Sequence, residues 1–332
     1  MTGARAEGSG LDASNTMFDA QRFVATYGTA LAVAIVFCSF ALFAPNFLNP
    51  TNLLNVLKQI TFLAILGLGF GLALTTSELD LSFASVCSFV AVLVGGLIHH
   101  RYSPALAVGA GIAAGLAAGV LNGLLVTRLK IPSLIATLAT AAVANGLAFA
   151  ITGGVAFVGR WDPSFLALGR GSVFGVPALV LWMLGTALFV LFLLKQTRLG
   201  LRLVFTGEAA EAARLAGIKV RRMKLFALAF SGFCAGLAAV LLTAHLNSAA
   251  PNMAGDFLLT AIAAVLLGMT MFEPGRANVP GTLLGAGLIG MLGNGLVLLG
   301  APYYVQDIML GVIIVGSVAL SASTLKQAAF SV

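Results

Sequence analysis

Ten apolar stretches follow one another along the chain, separated by short polar or Pro- and Gly-containing connections. They lie near Phe23–Phe43, Asn55–Leu74, Phe83–Leu97, Pro104–Val126, Pro132–Thr152, Pro177–Leu194, Leu225–Ala244, Phe257–Met271, Gly281–Leu299 and Tyr303–Ser321. A helix needs about 20 mostly apolar residues to cross a bilayer. The pattern therefore predicts an all-α membrane protein with about ten transmembrane helices, the shorter stretches forming tilted, broken or partly inserted helices. One long polar segment breaks the series, KQTRLGLRLVFTGEAAEAARLAGIKVRRMK at Lys195–Lys224, which holds eight of the eighteen Lys and Arg residues. The expected organisation is a polar tail over residues 1–22, a membrane domain over 23–322 with the 195–224 loop inside it, and a second tail over 323–332.

Composition agrees with burial in lipid. The 332 residues are 60% hydrophobic and 9% charged, whereas soluble domains carry roughly 25% charged residues. The first apolar run is as long as a full span, which argues against a cleaved signal peptide. A net charge of +7 could suggest nucleic acid, but the cations sit in the connections, where topology accounts for them. With the N-terminus inside, fourteen of the eighteen Lys and Arg fall on the inner side; Arg101, Arg160, Arg170 and Lys58 remain outside. The positive-inside bias places both termini in the cytoplasm. Cys38, Cys87 and Cys234 stand singly in apolar runs and read as buried packing residues, without a disulfide framework or metal-ligand spacing.

The segment Gly115–Leu125, GLAAGVLNGLL, is echoed by Gly287–Val297, GLIGMLGNGLV, five spans further along the chain. An odd number reverses direction, so the echo predicts two inverted pseudo-repeats, as in many transporters. Gly111, Gly115, Gly119 and Gly123 recur every four residues and line one helix face, where a neighbouring backbone can approach closely. Such packing leaves little room for a wide permanent pore.

Catalytic motifs are missing. No G-x-x-x-x-G-K-[ST], HExxH or G-x-S-x-G occurs, and no metal or cofactor is expected. Glu78 and Asp80 could do acid–base work, but Asp80 before the LSFASV run reads better as a helix N-cap with Glu78 solvated beside it. Lys58, Asp256 and Asp307 fall at or near span ends, so support for an ion relay in mid-membrane is thin. The chain reads as a translocation path whose motor lies elsewhere.

Within the polar loop, Thr206 can cap a short helix with Glu208 in its first turn and Arg214 in a later one, both favourable to the helix dipole. Glu211 and Arg214 can pair across a turn, and Gly217 stands where a left-handed C-terminal cap belongs. The result is either a rigid knob for a cytoplasmic partner or an amphipathic helix resting on lipid headgroups.

The cassette GEAAEAARLAGI resembles the coupling-helix motif, close to G-N-x-x-A-A-R-L-S-G-I, of ABC-importer permeases of the ribose type. Gly207, Ala212, Ala213, Arg214, Leu215, Gly217 and Ile218 match it; Glu208 replaces the asparagine and Ala216 the serine. The resemblance continues in order through FLNPTNLLNVLKQ, LTTSELDLSFAS, IPSLIATLAT, DFLLTAIAAVLLGMT, VPGTLLGAGLIGMLGNGLVLLG and YYVQDIMLGVIIV. Two inner connections depart from the family. Thr76–Phe83 reads TSELDLSF where T-S-G-G-I-D-L-S-V-G is usual, and Gly268–Arg276 reads GMTMFEPGR in place of a glycine-rich turn.

The resemblance implies a permease subunit of the bacterial inner membrane that imports a monosaccharide or small polyol. It implies three partners: a cytoplasmic ABC ATPase, a second permease subunit (identical or merely similar), and an extracytoplasmic sugar-binding protein. The ATPase would meet Gly207, Glu208, Glu211, Ala212, Ala213, Arg214, Leu215 and Gly217. Asn122, Asn145, Asn294 and Gln306 are uncharged polar groups in or beside apolar spans. They could line a sugar path or serve as interhelical hydrogen-bonding groups. A ten-helix secondary transporter driven by a proton or sodium gradient is the alternative, and a structural membrane subunit without a path is a third possibility.

Overall fold

The computed structural model describes residues 31–316 apart from 32, 274 and 303. Both tails, residues 23–30 of the first expected span and residues 317–321 of the last lie outside the described residues. The helices are α1 (Val33–Phe43), α2 (Pro50–Leu74), α3 (Phe83–His99), α4 (Pro104–Thr127), α5 (Ser133–Thr152), α6 (Pro163–Arg170) and α7 (Ala178–Gln196). They continue as α8 (Arg198–Glu208), α9 (Ala210–Leu215), α10 (Val220–Leu246), α11 (Phe257–Gly268), α12 (Val279–Leu298) and α13 (Tyr304–Gly316). Helices α2, α4, α5, α7, α10 and α12 are long and apolar enough to cross a membrane; α1, α3, α11 and α13 are shorter apolar helices.

Helix starts follow local capping chemistry more closely than the apolar pattern does. Helix α2 begins at Pro50, five residues before the expected Asn55. The Asn49 side chain accepts from Thr51 N at 2.9 Å, and proline at the first helical position costs no hydrogen bond. Helix α10 starts at Val220, so Arg221, Arg222 and Lys224 belong to its first turns. Hydropathy had assigned these cations to the loop, because a helix can run beyond its apolar part.

Helices α2 and α10 are the most buried of the long helices and pack on each other. A helix that is apolar all round suits such a central position. Around them the packing has a repeated form: α3 and α4 pack on α10 and on each other, while α11 and α12 pack on α2 and on each other. The glycine stripe of α4 makes one of the close contacts among these. A Cβ on Gly115 would lie 2.5 Å from Gly232 O, and one on Gly119 would lie 2.4 Å from Leu228 O. Only hydrogen side chains allow this backbone-to-backbone approach, as the four-residue spacing predicts. Cys87 and Cys234 are buried, but Cys38 is exposed on α1, against expectation.

At the end of the bundle away from α8 and α9, β1 (Phe157–Val158) pairs antiparallel with β2 (Ser248–Ala249) and ties the α5–α6 connection to the end of α10. A second hairpin, β3 (Ser172–Val173) with β4 (Val176–Pro177), leads into α7. Arg170 Nε donates to His245 O at 2.7 Å, locking α6 against α10.

Candidate functional site

The loop between α7 and α10 folds as two helices with a break at Ala209 (φ −150°, ψ 74°). The expected cap at Thr206 is not formed. Thr206 lies inside α8, buried, and its hydroxyl donates to Arg202 O at 2.7 Å. Glu208 consequently ends α8 instead of opening the next helix, and α9 starts at Ala210 without a side-chain cap. The other local features form as the spacing predicts. Arg214 pairs with Glu211 at 2.8 Å. Gly217 has φ +80°, with Gly217 N donating to Arg214 O and Ile218 N to Ala213 O, a Schellman termination. Ala213 faces inward, whereas Leu215 is 84% exposed at the tip of the cassette. Leu215 thus lies exposed beside the exposed Glu211–Arg214 pair.

The root of the cassette is fixed to two other segments, and two further ion pairs brace its surroundings. A Cβ on Gly207 would lie 2.2 Å from Thr75 O, so glycine lets α8 press onto the end of α2, where Ser77 Oγ donates to Gly207 O at 2.9 Å. Glu208 pairs with Arg276 in the α11–α12 turn, and Lys195 at the end of α7 pairs with Glu273 in the same turn. Lys224 on α10 reaches Glu78 at 2.5 Å. Glu208, Glu273 and Glu78 each meet a cation on a different segment. A cavity of about 750 Å³ opens among these parts, lined by Thr75, Ser77, Lys195, Glu208, Glu273 and Arg276.

Glu78 and Asp80 do not behave as the sequence suggests. Glu78 is buried, not solvated, because Lys224 draws it into the bundle. Asp80 is 1% exposed and does not cap α3 directly; Ser82 holds the cap position. Asp80 Oδ1 accepts from Ser82 N at 2.9 Å and from Ser82 Oγ at 2.6 Å. Ser82 Oγ accepts from Asn122 Nδ2 at 2.8 Å, and Asn122 Oδ1 accepts from Thr140 Oγ1 at 2.6 Å. This chain joins the α2–α3 connection to α4 and α5. Replacing Glu78 with glutamine should destabilise the bundle by about 3 kcal/mol, the order seen when one member of a buried pair is removed. A double-mutant cycle with Lys224→Met, read by thermal unfolding in detergent, measures it.

The family model for the permease component of a branched-chain amino acid transport system matches residues 52–318. The chain belongs to this permease family. The permease is 37% identical over 294 residues to the ribose import permease protein RbsC of Bacillus subtilis, covering 88% of this chain and 91% of the relative. It is 33% identical over 289 residues to RbsC of Escherichia coli K12, covering 86% and 89%. The L-arabinose transport system permease protein AraH of the same strain is 33% identical over 311 residues, covering 93% and 94%. The permease is thus the multi-pass inner-membrane subunit of an ABC importer, driven by a partner ATPase, as expected from the cassette and its accompanying motifs. That sets aside the gradient-driven alternative.

The four polar path candidates of the permease are not gathered into one site. Asn122 is fully buried in the Asp80 network, and Asn294 exchanges two 2.9 Å amide hydrogen bonds with Asn52 of α2. Gln306 lies against Gly293 of α12, and Asn145 is exposed on α5. Sequence reasoning missed Asn278. Its side chain caps α12 through Gly281 N at 2.8 Å and donates to Gly268 O, Met271 O and Arg276 O, shaping the turn that carries Glu273 and Arg276. The N-V-P-G order, an Asn two residues before a proline, was the available signal.

Proposed function

We propose that the permease carries a monosaccharide or a similar small polyhydroxylated solute, and that the Gly207–Gly217 cassette receives the ATPase. One observation carries the second part. Glu211, Arg214 and Leu215 are exposed at the tip, while the root is held to the end of α2 and to the α11–α12 turn. The sugar class is supported by the ribose and arabinose relatives, which match over most of both chains, although the family description names branched-chain amino acids.

In this reading ten helices span the membrane as two inverted repeats, with both termini and the cassette in the cytoplasm. The correspondence of α3 and α4 on α10 with α11 and α12 on α2 supports the repeats. The ATPase meets Gly207, Glu208, Glu211, Ala212, Ala213, Arg214, Leu215 and Gly217. ATP binding and hydrolysis displace α9, and α8 passes the displacement to α2 and to the α11–α12 turn. The paired bundles then switch between outward- and inward-facing packings. A second permease subunit completes the path, and an extracytoplasmic binding protein delivers the solute. Among the path candidates, Asn145 and Gln306 make no hydrogen bond among the described residues and so keep their amides for a hydroxylated solute.

Vesicles containing the permease, its ATPase and its binding protein provide the test. Ribose or arabinose should accumulate with ATP and not with an imposed proton or sodium gradient alone. Accumulation of leucine in place of either sugar would overturn the substrate class.

A further inference from the structure

A groove of about 510 Å³ opens on the outer flank of the bundle between α4, α7 and α10. Its walls are Leu116, Trp182, Gly185, Phe189, Phe226 and Phe230. Phe189 stacks on Phe230 with ring centres 5.9 Å apart, and Phe226 stacks on Phe230 at 6.4 Å. The polar side chain in the wall, Thr186, donates its hydroxyl to Trp182 O at 2.9 Å. Nothing there recognises a hydrated solute, but the walls suit a hydrocarbon chain.

Depth and charge narrow the occupant. Phe226, Phe230, Phe233 and Leu237 form one stripe of α10. Eleven residues at 1.5 Å rise give about 16 Å, the depth of one leaflet of the roughly 30 Å hydrocarbon core. One turn before Phe226 the stripe continues to Arg222, exposed and without an ion pair among the described residues. Lys195, Arg214 and Lys224 of the same loop all have carboxylate partners. Helix α10 therefore begins with Arg221 and Arg222 at its positive dipole end and no acidic residue in its first turn. That arrangement is unfavourable until an anion covers it.

We propose that this groove holds an acyl chain of an anionic phospholipid from the leaflet on the α8–α9 side, with Arg222 bound to its phosphate. The aromatic walls fix the chain, and the guanidinium makes the site selective for an anionic headgroup. The site requires only that these helices span a membrane, so it stands apart from the choice of transported solute.

Trp182 lies at the far end of the groove from Arg222, so it reports occupancy. In a Trp161→Phe background Trp182 is the one tryptophan left. The protein is placed in phosphatidylcholine vesicles carrying a small fraction of phosphatidylglycerol brominated toward its chain ends. Trp182 fluorescence should be quenched several-fold more than by brominated phosphatidylcholine at the same fraction. Arg222→Gln should equalise the two lipids, and Arg222→Lys should retain much of the preference. Gly185→Leu, at a position where a Cβ meets nothing within 4 Å, should fill the groove and reduce quenching by both. Equal quenching by the two lipids in the parent, or a preference unchanged by Arg222→Gln, overturns the proposal. So does no quenching by either lipid, the result expected if a second copy of the permease covered the groove. Phosphatidylglycerol retained by the unmodified protein, counted by native mass spectrometry, gives a measure independent of Trp161→Phe and must fall in Gly185→Leu.

Discussion

Arg214→Glu should reduce ATP-driven uptake to background while the protein still inserts and folds. The local cost of the change is small. It replaces the Glu211–Arg214 pair with two like charges three residues apart and puts a negative charge near the negative end of α9; each effect is worth a few tenths of a kcal/mol. Both side chains are largely exposed, so no buried partner is stranded. The large expected effect must then arise where the ATPase meets the tip, since reversing a charge at an interface costs far more than it does in water. Leu215→Asp should act alike, because an aliphatic side chain this exposed has no partner to lose inside the subunit. Uptake in vesicles, ATPase co-purification and detergent-solubilised yield separate the outcomes. Normal uptake with Arg214→Glu would remove the cassette from the coupling route.

Gly232→Val should severely damage the fold. A Cβ at Gly232 would lie 2.3 Å from Gly115 O and 2.7 Å from Gly119 Cα. Both obstacles are helix backbone, which cannot rotate away as a side chain can, so α4 and α10 must separate along their length. Overpacking of this kind costs about 3 kcal/mol or more, and each 1.4 kcal/mol is tenfold in a folded population. Gly146→Val on α5 is the control: a Cβ there meets nothing within 4 Å, so the yield of monodisperse protein should hardly change. If Gly232→Val gives the same yield and melting temperature as Gly146→Val, the α4–α10 contact is not the constraint described.

The apolar stretches were legible because membrane helices must satisfy their backbone internally and therefore show as long apolar runs. Glycines 111, 115, 119 and 123 were legible for a similar reason: a four-residue spacing of hydrogen side chains has few uses other than helix contact. The connections were not. Glu78 looked solvated because its partner, Lys224, is 146 residues away, and nothing local announces the pair. Thr206 looked like a cap because threonine before a Gly-Glu-Ala-Ala run usually is one. Here α8 continues to Glu208, and the close approach of Gly207 to Thr75 accounts for the glycine instead. Asn122 reads from sequence as a polar group open to a sugar path or to interhelical bonding; its hydrogen-bond partners, Ser82 and Thr140, are brought together only by the packing of α3, α4 and α5.

The three bridging ion pairs bear on how the chain can diverge. Loss of Glu273 would leave Lys195 without its carboxylate, loss of Glu208 would do the same to Arg276, and loss of Glu78 would strand Lys224 in a half-buried position. Relatives that lack one of these carboxylates should therefore lack the matching cation as well. The record of relatives should show Glu78 with Lys224, Glu208 with Arg276 and Glu273 with Lys195 appearing and disappearing as pairs.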